Sequence, residues 1–370
     1  MHGSFSDQAD SDVIGSPIED LDTPALLLDG PASDRNIRRM AEFFRHRPSR
    51  LRPHFKNHKC TTLARRQLAA GSAVGITCAK LGEAEVLAEA GVEDVLIANQ
   101  LMGRRKIARL VDLAGKIDLK VAMDHIEQVK ATSEAAAAAG VTLGVLIEVD
   151  IGMGRCGVEP GEPALQLARE IESKSGLRLD GIQAYEGHTV YNNDLDERTR
   201  QTRQSMQKAL DTRGLLEKHG IPVRVISGGS SSTYKITGLI DGVDEIQAGT
   251  YPTMDWRYAE MAPEFEVALS VLARVISKPG DSAVLDVGLK GVGVDFGLPR
   301  IKDYPDIEIP SFSSEEHCIV RRASAWRIGD VVEVLPSHAC TTCNLHRAIH
   351  VHEEGRVREV WPIEASGKLA

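Results

Sequence analysis

Two short runs in this 370-residue chain group side chains that could act together chemically. The first is Arg52-Pro53-His54-Phe55-Lys56-Asn57-His58-Lys59, a primary amine set among cationic neighbours. Such neighbours disfavour an ammonium ion, and a lysine with a depressed pKa can form Schiff bases. The same residue type also serves as an ordinary solvated lysine. The second run is Pro336-Ser337-His338-Ala339-Cys340-Thr341-Thr342-Cys343-Asn344-Leu345-His346. An imidazole and a thiolate suit Zn²⁺ or a similar divalent ion. If the apolar strand before them continues, a spacing of two puts His338 and Cys340 on one face. Two ligands leave coordination positions open, as a catalytic metal site requires. A closed set adding Cys343 and His346 would crowd one ion, and the run is also compatible with no metal.

Four further runs offer supporting groups. In Asp150-Ile151-Gly152-Met153-Gly154-Arg155-Cys156-Gly157, three glycines surround one arginine, which suggests a tight loop presenting Arg155. Gln183-Ala184-Tyr185-Glu186-Gly187-His188 offers a phenol and an imidazole. Ser227-Gly228-Gly229-Ser230 and Gly249-Thr250 are glycine and hydroxyl clusters whose N–H and O–H groups suit an anion. Each alone is more often a turn.

These runs fall where a repeating pattern of elements would deliver them. Strand signals start near Leu51, Val74, Val95, Leu119, Leu143, Leu179, Val223 and Glu245. Helical periods separate them over 61–70, 81–90, 104–114, 126–139, 163–174 and 195–219. Eight β/α units predict an α/β fold with a TIM barrel. A doubly wound sheet is disfavoured, because no Gly-x-Gly-x-x-Gly follows the first strand. The candidate residues follow strand ends, where a barrel builds its site, and the loops after strands seven and eight commonly take phosphate. An amine and a phosphate site at one mouth together suggest pyridoxal phosphate.

The remaining chain reads differently. Residues 1–20 are polar and acidic, and predict a flexible tail. Ala25–Asp29 is a short apolar strand. From about Glu266 the helical periods fade and strand signals dominate, closing with a hairpin around Glu354-Gly355. The expected division is a barrel over 32–262 and a mostly β domain from 21–31 and 263–370. The formal net charge of −9 argues against nucleic acid and anionic membranes, and no apolar run spans a bilayer. The six cysteines, with no secretory leader pattern ahead of them, read as reduced thiols of a cytoplasmic protein.

Taken in order, these runs resemble the D-threonine aldolase and D-serine dehydratase family, of the alanine-racemase (fold type III) architecture. So do Asp286-Val287-Gly288-Leu289-Lys290 and Glu315-Glu316-His317. The resemblance covers about residues 20–366. It implies pyridoxal phosphate on Lys56, Arg155 near the cofactor's phenolic oxygen, and Tyr185 beside its ring. It implies phosphate on Gly228, Gly229, Ser230, Gly249 and Thr250. His338 and Cys340 would hold a divalent metal (Mn, Mg or Zn), and the N-terminal strand would join the β domain of a homodimer. Aldolases of the family read His-x-Asp at the metal, so His338-Ala339-Cys340 resembles the dehydratases. Thr342-Cys343-Asn344 and Tyr251-Pro252-Thr253-Met254-Asp255 resemble the aldolases. The activity implied is cleavage of a D-3-hydroxy amino acid to glycine and an aldehyde, with His188 or Tyr191 as the candidate base beside a metal-bound water. A D-serine or D-threo-3-hydroxyaspartate dehydratase (ammonia-lyase), a racemase and a non-catalytic pyridoxal phosphate carrier are the alternatives.

Overall fold

The computed structural model describes residues 12–312 and 314–370. The chain divides into two compact units. One holds Arg39–Lys56, Leu63–Gly249 and Lys368–Ala370; the other holds the described residues up to Arg38, Asn57–Thr62 and Thr250–Gly367.

The strands in chain order are β1 (Ala25–Asp29), then β2 (Arg50–Leu51), β3 (Ile76–Cys78), β4 (Asp94–Ile97), β5 (Asp118–Met123), β6 (Leu143–Glu148), β7 (Leu177–Ala184), β8 (Val225–Gly228) and β9 (Glu245–Ile246). Strands β2 to β9 form one eight-stranded parallel sheet in the order β2-β9-β8-β7-β6-β5-β4-β3. Its two ends meet. Leu51 bridges Ala73 and His54 bridges Thr77, and the Thr77 N–H donates to the Pro53 carbonyl at 2.8 Å. The expected α/β barrel is therefore present. Strand β6 is buried at every residue, as a parallel strand covered on both faces should be. The helices between strands follow local signals. Asp194 caps Leu195–Lys218 by accepting the N–H groups of Asp196 and Glu197, and Gly140, at φ 68°, ends Ile126–Ala139 in the left-handed region.

The second unit is built on β10 (Leu269–Ser277), β11 (Ala283–Leu285), β12 (Arg300–Ile301), β13 (Cys318–Val320), β14 (Val331–Leu335), β15 (Ala348–Glu353) and β16 (Arg356–Pro362). Its sheet runs β12-β14-β10-β1-β15-β16, with β11 paired to β10 and β13 paired to β11. Strand β1 sits in the middle, antiparallel to β10 and parallel to β15. Leu27 and Leu28 are fully buried there, which is what four consecutive apolar residues would dictate.

Two local expectations are corrected. Residues 12–20 are not a loose tail. The Gly15 N–H donates to the Val357 carbonyl, Ile18–Asp20 forms a short 3₁₀ turn, and Val13 and Ile18 pack with Leu27, Leu272 and Val357. Residues 1–11 of the expected tail lie outside the described residues. The strand before His338 does not continue. It ends at Leu335, and Ala339–Leu345 is a helix with His338 at its N-cap. Pro336 ends the strand's hydrogen-bonding run because it has no N–H. Among the described residues no helix is long and apolar enough to cross a membrane.

Candidate active site

Two clusters emerge, one in each unit. In the barrel unit, Lys56 follows β2 in a turn and is half-buried. Its Nζ lies 6.0 Å from the centre of the Tyr185 ring, and the Arg155 guanidinium lies 5.6 Å from the same ring. Tyr185 follows β7 directly, so the strand end places its ring near both the amine and the guanidinium. The Arg155 loop is shaped by Asp150. Its carboxylate accepts the N–H groups of Gly152, Met153 and Gly154 at 2.8–3.1 Å, and these bonds hold its pKa down against burial.

His188 packs on this loop, since a Cβ on Gly152 would sit 3.1 Å from its Cε1 and Nε2. The ring is solvent-exposed, and Nε2 shares a hydrogen bond with Ser205 Oγ at 3.1 Å. Tyr191 follows three residues later, half-buried in the turn before helix Leu195–Lys218.

The glycine and hydroxyl loop after β8 is more specialised than its composition suggests. A Cβ on Gly228 would meet the Ala184 carbonyl at 1.9 Å, so only glycine lets β8 approach β7 here. Glu186 is fully buried behind the loop. It accepts the Gly229 N–H at 3.1 Å and the hydroxyls of Thr233 and Thr237 at 2.8 and 2.5 Å. In this structure the Gly229 amide therefore donates to Glu186. Ser230 Oγ lies 3.0–3.1 Å from the hydroxyls of Ser232 and Thr233, giving a small hydroxyl cup. Gly249 and Thr250 follow β9, at the point where the chain leaves the barrel unit.

Sequence reasoning missed Glu148. It ends β6, is 5% exposed, and places Oε1 3.8 Å from Arg155. Gln100 and Gln183 donate to its other oxygen at 2.5 and 3.3 Å, and Gln247 continues the chain to Ser227. Burial raises its pKa, opposed by Gln100 and Arg155. Nothing in the local sequence separates this glutamate from any other strand-ending one.

In the β unit, His338 and Cys340 come together through the helix cap rather than through a strand face. Burial would depress the imidazole pKa, but the neighbouring Cys340 thiolate and the Asp295 carboxylate raise it to about 10. Asp295 Oδ2 lies 2.5 Å from His338 Nδ1, and Thr341 donates to the other oxygen at 2.7 Å. Buried Asn57 donates to Cys340 Sγ at 3.5 Å while its own oxygen takes the Thr253 hydroxyl at 2.7 Å. Asp255 is fully buried and accepts the N–H groups of Tyr258 and Ala339, at 2.8 and 2.9 Å, so one carboxylate starts two helices. Burial lifts its pKa to about 6.

The pair fits a divalent ion. A histidine whose second nitrogen is held by a carboxylate is the usual arrangement around a bound metal. The four-ligand alternative does not form. Cys343 is fully buried, His346 Nε2 is bonded to the Gly291 carbonyl at 2.8 Å, and no group of three or more metal-binding side chains occurs among the described residues. The barrel cluster fits pyridoxal phosphate by its donor chemistry: an amine, an aromatic face, a fixed cation and a hydroxyl cup.

The profile of the alanine racemase N-terminal domain family matches residues 28–255, and a serine dehydratase domain profile matches 268–352. The chain is 36% identical over 361 residues to the D-threonine aldolase of an Arthrobacter species, covering 95% of each protein. The chain belongs to the D-threonine aldolase and D-serine dehydratase family. Its fold superposes on the crystal structure of D-threonine aldolase from Filomicrobium marinum with a TM-score of 0.93 and 37% identity, covering 96% of this chain and 99% of that one. The D-threo-3-hydroxyaspartate dehydratase of Delftia sp. is also similar, 31% identical over 87% of this chain and 92% of its own length. A cysteine-to-alanine variant of that dehydratase, in a metal-free form, superposes with a TM-score of 0.86 at 28% identity, covering 94% of this chain and 98% of that one. The architecture is thus that of the fold type III, pyridoxal-phosphate-dependent enzymes, and the family's aldolases are lyases.

Proposed function

We propose that this protein is a pyridoxal-phosphate- and divalent-metal-dependent aldolase that cleaves D-3-hydroxy amino acids such as D-threonine to glycine and an aldehyde. The observation that carries the reading is the likeness to D-threonine aldolase across both units, at 36% identity over 95% of the chain. When bound, the cofactor supplies an electron sink for the substrate's Cα, and the ion lowers the pKa of the 3-hydroxyl.

The chain's own residues do the rest. Lys56 holds the cofactor through its amine, and Tyr185 offers a ring face near both Lys56 and Arg155. Arg155 presents a fixed cation, restrained on one side by Glu148. Ser230, Gly249 and Thr250 offer donors to the phosphate, with Glu186 keeping the first loop in shape. His338 and Cys340 hold the ion and leave positions for the substrate hydroxyl. His188 and Tyr191 are the candidate acceptors of the hydroxyl proton. Because Ser205 occupies Nε2 of His188, Nδ1 is the nitrogen left for that task. We also read the protein as a cytoplasmic homodimer, a reading supported by its six free thiols and by the family's architecture.

The test is direct. Purified protein with pyridoxal phosphate and Mn²⁺ should convert D-threonine to glycine and acetaldehyde, and chelation of the ion should stop it. Formation of 2-oxobutanoate and ammonia instead would establish the dehydratase reading, which the His-x-Cys pair favours.

A further inference from the structure

The segment from Val292 to Leu298 runs without helix or strand, and two of its side chains reach His338. Asp295 takes Nδ1, as described. The Phe296 ring lies against the imidazole, with centroids 4.4 Å apart and planes at 58°. Phe296 is nevertheless 40% exposed, and Leu298 is 43% exposed. A solitary exposed apolar residue needs no explanation. One that rests on a candidate metal ligand and still shows nearly half its surface is placed to meet whatever comes to the metal.

We propose that Phe296 determines substrate specificity, selecting an apolar or aromatic substituent on the hydroxyl-bearing carbon over a carboxylate. The inference rests on the aldolase reading above and names the substrate class within it. A hydroxyl oxygen on the ion would stand about 2 Å from it, and the ion about 2 Å from the imidazole nitrogen. The substituent is bonded to the same carbon as that hydroxyl. Its first atom therefore lies within about 5 Å of the ion, inside the reach of a ring that touches the imidazole. A phenyl group there can pack edge-to-face on Phe296.

A carboxylate at the same place meets unfavourable surroundings. With Cys340 bound as a thiolate, it and Asp295 already offset the two positive charges of the ion, so a further carboxylate gains little net attraction there. The cations nearest along the chain are engaged elsewhere. Arg300 stacks on Trp256 at 3.7 Å and pairs with Glu260 at 2.8 Å, and Lys302 pairs with Glu333 at 2.8 Å. This surface suits D-phenylserine or D-threonine better than 3-hydroxy-D-aspartate.

The experiment compares kcat/KM of the Mn²⁺-loaded holoenzyme for D-phenylserine, D-threonine and 3-hydroxy-D-aspartate. In parallel, the dissociation constants of D-phenylalanine and D-aspartate are read from the cofactor's absorbance. These two ligands carry the substituents without the hydroxyl. D-phenylserine and D-phenylalanine should be preferred by about tenfold or more. Phe296→Ala should erase most of that preference, lowering kcat/KM more for D-phenylserine than for D-threonine or 3-hydroxy-D-aspartate, and Phe296→Leu should restore part of it. An equal loss for all three substrates, or a wild-type preference for the carboxylate pair, overturns the proposal. If no substrate is cleaved, the aldolase reading fails. The D-phenylalanine and D-aspartate constants then decide the specificity by themselves, equal affinities overturning it.

Discussion

The two mouths of the barrel treat charge in opposite ways. At the N-terminal mouth the ionic groups saturate one another. Arg52 is 2% exposed and pairs with Asp94 at 2.7 Å and Glu245 at 2.8 Å, which together raise its pKa despite burial. Lys120 joins Asp94 to Asp118, Arg178 joins Asp118 to Asp180, and Arg224 adds a further contact to Asp180. Carboxylates and cations alternate from strand to strand, and the glycines of neighbouring strands make room. At the C-terminal mouth Arg155 keeps about half its side chain exposed and stands 3.8 Å from Glu148. The same residue types form a closed ionic plug at one end and stand more openly at the other. What separates them is whether a partner is already within hydrogen-bonding distance.

Lys56→Ala would break the comparison at the more open end. Activity should fall by about 1,000-fold or more and the cofactor's visible absorbance band should be lost, with thermal stability of the cofactor-free protein almost unchanged. At the other mouth, Arg52→Ala takes the buried cation from Glu245 and leaves Asp94 with Lys120 alone. It should cost about 3–5 kcal/mol in urea unfolding, while the folded fraction keeps its kcat. A smaller loss, about 1–3 kcal/mol, is expected for Gly144→Ala in β6. Its Cβ would sit 2.4 Å from Asp180 Oδ2 and 2.8 Å from Lys120 Cγ, pushing the plug apart.

The smallest effect concerns Glu148. Burial raises its pKa in the folded protein, so its contribution to stability is greatest at acid pH and is lost as pH rises through the raised value. Glu148→Gln carries no such dependence. The variant's stability relative to the wild type should therefore rise with pH from about 4.5 upward, measured as melting temperature at a series of pH values. A flat difference would show that Arg155 already compensates the charge.

Much of this was legible locally. Helices 104–114 and 126–139 begin and end where their apolar spacing and caps predict, and β1 is the apolar run Ala25–Asp29. Lys56, Arg155 and Tyr185 were recognisable from runs whose glycines and strand ends show on the page. The helix at Ala339 was not, because a seven-residue helix has too few turns for a periodic signal. Its start is decided by Asp255, 84 residues away, accepting the Ala339 N–H.

By itself, then, the sequence determined the eight-fold alternation, the lysine, the arginine loop, the hydroxyl clusters and the His338–Cys340 pair. Each of these rests on residues near one another in the chain. Tertiary structure alone decided the partners. Asp295 meets His338 across 43 residues, Glu186 claims the Gly229 amide across 43, and Arg52 finds Glu245 across 193. Hydrogen bonds and ion pairs depend on distance in space, and a one-dimensional pattern carries that distance only over the few residues that a helix or strand holds rigid.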